Sequence, residues 1–164
     1  MNIFFLSLDP ETCAQMYCDQ HVIKILIEIV QMLYTACHFL GYTLDTAPWK
    51  KDHSQRGFKK AHPNHPMCKW VRASRQNFEM TARIGLALAL EYNYRYKKIH
   101  SCSKHILWLF SRVHELPFLH ESLSVPPQCM PDQYKRSDPV EGYKEYYKSK
   151  TFARWTKRNK PMFL

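Results

Sequence analysis

Between Val22 and Leu33 every position is apolar except Lys24, Glu28 and Gln31, and His21 and Thr35 extend the polar positions at steps of three or four residues. That spacing gathers all five residues on one stripe of a 3.6-residue helix. In an amphipathic surface helix the polar face is the broad one, whereas here it is narrow and bordered by Ile23, Ile25, Leu26, Ile27, Ile29, Val30 and Met32. Such a helix is largely buried and turns its polar line to a cleft or to partners inside the fold. Lysine and glutamate are seldom buried unpaired. Lys24 and Glu28, one turn apart, therefore read as an internal ion pair or, in the company of His21 and Gln31, as part of a functional cleft.

Punctuation along the chain sets the other elements. Asp9-Pro10-Glu11 is a helix start, with a capping carboxylate, a proline preorganised at the first helical position and an acid facing the positive end of the dipole. Gly41 is the natural stop, which predicts a first helix over about 11–40. A polar, basic connection over 42–65 ends in His62-Pro63-Asn64-His65-Pro66. The next helix is predicted from Pro66 to about Lys98, with Trp70, Ser74, Asn77, Thr81, Ile84 and Leu88 at helical spacing and Gly85 marking a close helix crossing. A shorter helix is predicted over about 103–115, then an extended segment carrying Pro117, Pro126, Pro127 and Pro131, and a last helix from Asp138-Pro139 to about Lys148. No alternating run is long enough for a sheet. The expected architecture is one all-α domain over 1–164, a helical bundle with two long helices, shorter C-terminal helices and long ordered connections.

A chain of 164 residues buries roughly 70% of its unfolded surface without staples. Six cysteines without a Cys-x-x-Cys pair suggest neither a structural zinc site nor a disulfide framework, and fit reduced thiols in an intracellular, cytoplasmic or nuclear protein. The apolar start from Ile3 to Leu8 is too short for a signal peptide. No segment is expected to reach the roughly 20 apolar residues of a membrane span. The net charge of +10 is uneven. Lys50, Lys51, Arg56, Lys59 and Lys60 crowd one stretch beside Trp49 and Phe58, and a second basic run from Lys144 to Lys160 carries Tyr146, Tyr147, Phe152 and Trp155. Positive charge draws phosphate and aromatic rings stack on exposed bases, so the mixture reads as a nucleic-acid surface.

Asp19-Gln20-His21, followed seven residues after the histidine by Glu28, resembles the catalytic helix of the phage endonuclease V type pyrimidine-dimer DNA glycosylases. The run Gly142-Tyr143-Lys144-Glu145-Tyr146-Tyr147-Lys148 resembles that family's DNA-contacting segment near the C-terminus. Gln20, Lys24, Glu28, Gln31, Asn64-His65-Pro66 and Trp70 resemble a more distant branch, and similar uncharacterised proteins occur in phages and large DNA viruses. The resemblance implies an all-α protein that binds damaged or modified duplex DNA, flips a nucleotide, cleaves its glycosidic bond and nicks at the abasic site, and the likeness to viral proteins makes a viral origin one expectation. The chain is expected to act as a monomer, with no metal or cofactor. Its chemistry asks for an amine that attacks the sugar C1′ and a carboxylate that handles protons and steadies the developing cation. Glu28 matches the carboxylate, and His21 belongs to the same motif. Two family arginines are replaced by Ile27 and Gln31.

The expected amine is the α-amine of Met1, which Asn2 should preserve because it is larger than the family's small second residue, with Lys24 as the alternative. His21, Lys24, Glu28 and Gln31 are expected to line one cleft with residues from the start of the second long helix, where Trp70, Arg72 and Asn77 would hold a base and a phosphate; Trp70 reads equally as core, and His65 as a helix cap or a phosphate contact. Tyr143, Tyr146 and Tyr147 read either as staples of the last helix to the bundle or, beside Lys144 and Lys148, as a DNA-facing segment, and the lysines favour the second. Glu91 and Arg95 read as a one-turn ion pair, structural like the common solvated helix pairs or else bordering the cleft, with the structural role favoured. The rival readings are a noncatalytic nucleic-acid-binding protein and an enzyme acting on the N-glycosidic bonds of free nucleosides or nucleotides.

Overall fold

The computed structural model describes all residues, 1–164, as one all-α domain without a sheet. Helices α1 (Pro10–Met16), α2 (Asp19–Phe39), α3 (Pro66–Val71), α4 (Arg75–Tyr96), α5 (Ser103–Ser111) and α6 (Pro139–Lys148) follow in order, with one 3-10 turn at Asp132–Tyr134. The central helix is α2, against which α3, α4 and α5 pack, while α1 lies on α4. Val22, Leu26, Ile29, Val30, Met32 and Leu33 are all fully buried. Residues 19–39 are long and apolar enough to cross a bilayer, contrary to the expectation from sequence. Here they form the core helix of the bundle.

The punctuation holds at most ends. Asp9 accepts from Thr12 N at 2.8 Å, and Asp138 from Val140 N at 2.8 Å. Gly41 is left-handed at φ +66°, and Tyr42 N donates back to Cys37 O at 3.0 Å, satisfying carbonyls that α2 leaves open. Gly85 is a crossing point, since a Cβ there would stand 2.6 Å from Ile106 on α5 and 3.0 Å from Ile29 on α2.

Both long helices, however, are broken. The chain is extended at Tyr17 and Cys18, where α1 gives way to α2. The Tyr17 hydroxyl accepts from Phe4 N and donates to Phe4 O, Cys18 N donates to the Tyr147 hydroxyl, and Asp19 N donates to Arg154 O. The second break falls at 72–74, where Ser74 caps α4 by accepting from Asn77 N at 3.2 Å. Arg75 N and Gln76 N then donate to the carbonyls of His120 and Glu121 in the proline-rich segment. α5 is also shorter than expected, its last residues unwinding into turns after Ser111.

Candidate active site

The N-terminal strand of chain, Met1 to Leu6, threads between α2 and α6 because its apolar residues are buried and its polar groups are caught. Asn2 N donates to Glu28 Oε2 at 2.7 Å, Asn2 Nδ2 donates to Cys129 O at 2.9 Å, and Asn2 Oδ1 accepts from Ile3 N and the Tyr143 hydroxyl. Pinned this way, the Met1 amine lies 3.8 Å from Glu28 Oε2, while Lys24 Nζ lies 3.7 Å from the other oxygen, Oε1. The two residues differ in setting: the Met1 side chain is buried and anchors the half-buried residue at the pocket wall, whereas the Lys24 side chain is 71% exposed.

Met1, Glu28, Lys24 and His21 open on a pocket of about 380 Å³ whose remaining walls include Phe4, Tyr146, Lys150 and Phe152. The aromatic lining is ordered by stacking. Phe4 lies parallel to His21 at 4.7 Å and near-parallel to Tyr146 at 5.9 Å, and Phe152 meets His21 edge-on at 5.7 Å. Lys150 Nζ sits 3.7 Å from the Tyr146 ring centroid. One carboxylate thus shares the pocket with the Met1 amine, Lys24 and Lys150, a positive balance that suits an anionic ligand.

His21 Nδ1 lies 2.8 Å from the Tyr147 hydroxyl, which also accepts from Cys18 N at 2.9 Å. Burial raises the Tyr147 phenol well above its ordinary value, so the hydroxyl keeps its proton, and with Cys18 N already donating to it the partner left to take that proton is Nδ1. His21 therefore carries its own proton on Nε2, the nitrogen without a protein partner. Burial pushes this imidazole down to about 4, and the charges of Lys150 and Lys24 push the same way. At neutral pH His21 is a neutral hydrogen-bond donor held at a fixed angle.

The other expected site residues fall into two groups. Near the pocket, His65 caps α3, its Nδ1 accepting from Met67 N. Burial lowers its imidazole, followed by the charges of the Met1 amine and His62, with Glu28 opposing. Gln31 is half-buried on the next turn of α2 and does not line the pocket, and Thr35 is spent on Gln31 O and Ala61. Trp70, Arg72 and Asn77 do not join it either. The Trp70 indole is core and donates to Ser124 O, Arg72 donates to Pro63 O and stacks 4.0 Å over Phe39, and buried Asn77 ties Trp70 O to Ser124.

On α6 only Tyr146 faces the pocket. Tyr143 is a staple whose hydroxyl joins Pro127, Cys129 and Asn2, and Tyr147 is fully buried behind His21. Lys144 and Lys148 pair with Glu141 and Glu145 on the outer face. Apolar burial of the ring sides of an i, i+4 tyrosine pair outweighs any outward role here. Glu91 and Arg95 are likewise not a solvated pair. Arg95 is fully buried and bonds Glu91, Asp19 and Gln15 O, and Arg158 closes Glu91 from the other side. Asp19 of the Asp-Gln-His motif is consequently a clamp, receiving Arg95 and both donors of Thr156.

Nothing in the sequence marked Asn2, Phe4, Lys150 and Phe152 as lining the pocket, although Asn2 stood out for preserving Met1. Asn2 and Phe4 carry no helical periodicity, and Lys150 and Phe152 were legible only as members of a basic aromatic run. No group of three or more His, Cys, Asp or Glu side chains is placed to hold a metal ion, and all six cysteines are free. No protein-family model matches the chain, and neither a curated protein nor a solved structure shows significant similarity to it.

Proposed function

We propose that this protein is a DNA N-glycosylase with associated lyase activity, acting on a damaged or modified pyrimidine nucleotide flipped into the Met1–Glu28 pocket. The observation that carries the reading is the 3.8 Å approach of the terminal amine to a carboxylate oxygen in a cationic, aromatic-walled pocket. The reading takes Met1 as the first residue of the mature chain.

In the proposed reaction the neutral Met1 amine attacks C1′ of the flipped nucleotide. The C1′–N bond breaks, and the base departs with the electron pair and takes up a proton. The Glu28 carboxylate steadies positive charge developing on the sugar. The amine then loses a proton, the ring C1′–O4′ bond opens with protonation of O4′, and a Schiff base links Met1 to the sugar. Removal of a C2′ proton expels the 3′ phosphate and nicks the strand, and water releases the amine. Phe4 and Tyr146 offer faces for a base, His21 Nε2–H donates to a sugar or base oxygen, and Lys150 and Lys24 offer charge to flanking phosphates. Lys24 is the weaker amine because its ammonium stands in solvent and pairs with the same carboxylate.

Borohydride reduction of the protein on a panel of lesion-bearing and abasic duplexes, followed by peptide mapping, tests the reading. An adduct on Met1 is expected. An adduct on Lys24 would reverse the choice of amine, and base release without any adduct would assign the attack to water activated by Glu28. Neither adduct nor base release on duplex or free nucleosides would leave a noncatalytic nucleic-acid-binding protein.

A further inference from the structure

The first basic run takes no part in the Glu28 pocket. It folds as a loop closed by the bridge between Trp49 and Arg56, with the Arg56 guanidinium 4.7 Å from the Trp49 ring and Nη1 donating to Ala47 O. The loop faces the start of α5. Between them lie two hollows of about 420 and 450 Å³ that share Lys51 and Ser101, and so form one groove.

Lysines dominate the charge of this groove. Asp52 is its one carboxylate and lies 3.8 Å from Lys50, which leaves Lys51 and Lys104 exposed and outside every ion pair of the chain. The buried histidines at the back are already engaged, His105 Nδ1 with the Tyr34 hydroxyl and His100 Nδ1 with Cys102 N. The available cations are therefore flexible lysines on an open surface. Point charges of that kind suit a run of phosphates better than one compact anion, because they position a polyanion without reading its bases.

We propose that this groove is a second nucleic-acid contact, separate from the Glu28 pocket, holding the sugar–phosphate backbone of duplex DNA. It rests on the reading of the chain as a DNA-acting protein. Tyr34, whose hydroxyl meets His105 in the groove wall, follows Glu28 by six residues of α2, about 9 Å along the helix axis and about 120° around it, so groove and pocket lie on different sides of α2. Duplex DNA presents a charge for about every 1.7 Å of its axis, so even a short segment lays several phosphates along the groove. Such a contact raises affinity for any sequence, which lets a lesion-searching protein stay on DNA between encounters.

The test compares the full-length protein with its Lys51→Gln/Lys104→Gln variant, reading binding to a short undamaged duplex by fluorescence anisotropy over a series of salt concentrations. Both side chains are exposed, so the melting temperature should not move. The slope of log affinity against log salt is expected to flatten by about 2, with a loss of about tenfold in affinity at physiological salt. An unchanged slope and affinity in the folded variant would overturn the groove alone. Salt-dependent duplex binding lost in the variant, in a protein that neither releases a base nor forms an adduct, would support the groove while removing the glycosylase reading. Binding of anionic lipid vesicles with no measurable duplex binding would overturn the assignment to nucleic acid.

Discussion

Two clusters of charge lie inside this bundle, about the two ends of the same short stretch of α2, and they are finished differently. Around Asp19 every strong acceptor has a donor: Arg95 and Thr156 on Asp19, and Arg95 and Arg158 on Glu91. Around Glu28 the carboxylate receives one short bond from Asn2 N, stands 3.7–3.8 Å from two amines, and opens on a pocket. A closed cluster can only hold the chain together. An open one keeps capacity for a ligand, and this separates the residue that ties the C-terminal segment down from the one proposed to do chemistry nine positions later.

The sharpest way to break the comparison is to remove the central cation of the closed cluster. Arg95→Met leaves Glu91 and Asp19 short of a buried partner, and is expected to cost about 3–5 kcal/mol in denaturant unfolding. Burial by itself would raise the Glu91 carboxyl, but the bonds from Arg158 and Arg95 outweigh it and hold it below its ordinary value. The stabilisation is thus present at neutral pH and lost in acid as pH falls through the depressed folded value. A loss below about 1 kcal/mol would return the cluster to the class of solvated pairs.

Glu28→Gln probes the open cluster in the opposite sense. The amide oxygen can still accept from Asn2 N, so stability should move by about 1 kcal/mol or less. Base release or strand cleavage should fall by roughly 10²–10⁴-fold, since the charge and the proton-transfer capacity are gone. Full activity with unaltered duplex binding would remove Glu28 from the chemistry. Large destabilisation would instead show that the carboxylate belongs with the structural group.

A third outcome separates neutral from charged burial. His21 and His105 are both pushed down to about 4, chiefly by burial, from an ordinary 6.5. Each is neutral in the fold and protonates more readily once unfolded, so its contribution is complete above about pH 6.5 and is lost as pH falls toward 4. For His21, which is nearly fully buried, this loss is on the order of 3 kcal/mol. Chemical denaturation across that window should show the decline before the carboxylates titrate. A flat profile there would mean that water reaches both rings.

Much of this was legible in the sequence where the cause was local. Asp9-Pro10, Asp138-Pro139 and Gly41 set helix ends through groups two to five residues away, and the narrow stripe on α2 identified His21 and Glu28 as buried polar residues. The breaks at Tyr17–Cys18 and 72–74 were not legible as a pair of gaps, because the groups that satisfy the freed amides come from Tyr147, Arg154, His120 and Glu121. The same holds for the pocket. Lys24 satisfies the helical stripe yet stands in solvent, whereas Asn2 and Lys150 reach Glu28 and Tyr146 from the two ends of the chain with no periodicity to announce them. Tyr143 and Tyr147 read as surface aromatics beside lysines, but the one-turn spacing that joins them also points both at the core.

The smallest expected effect lies between the two clusters. Tyr147 bonds Cys18 N, one residue before Asp19, and His21 Nδ1, which lines the pocket, so a single hydroxyl serves both the start of α2 and the tautomer of its histidine. Tyr147→Phe keeps the ring and removes only that hydroxyl. Cys18 N then loses its acceptor in a buried setting, at a cost of about 1–2 kcal/mol to unfolding. His21 loses the donor that fixes its proton on Nε2, so its two tautomers mix and some molecules present a lone pair to the pocket where a donor is needed. Turnover should fall several-fold through kcat while the salt slope for undamaged duplex stays unchanged, because no phosphate contact is touched. A change in nitrogen chemical shifts of His21 toward tautomer exchange, seen by NMR, is the signature that a purely structural role would not produce. If turnover falls only in proportion to the folded fraction and the His21 shifts stay put, Tyr147 belongs with Tyr143 as a staple, and His21 is oriented by its stacking on Phe4 alone.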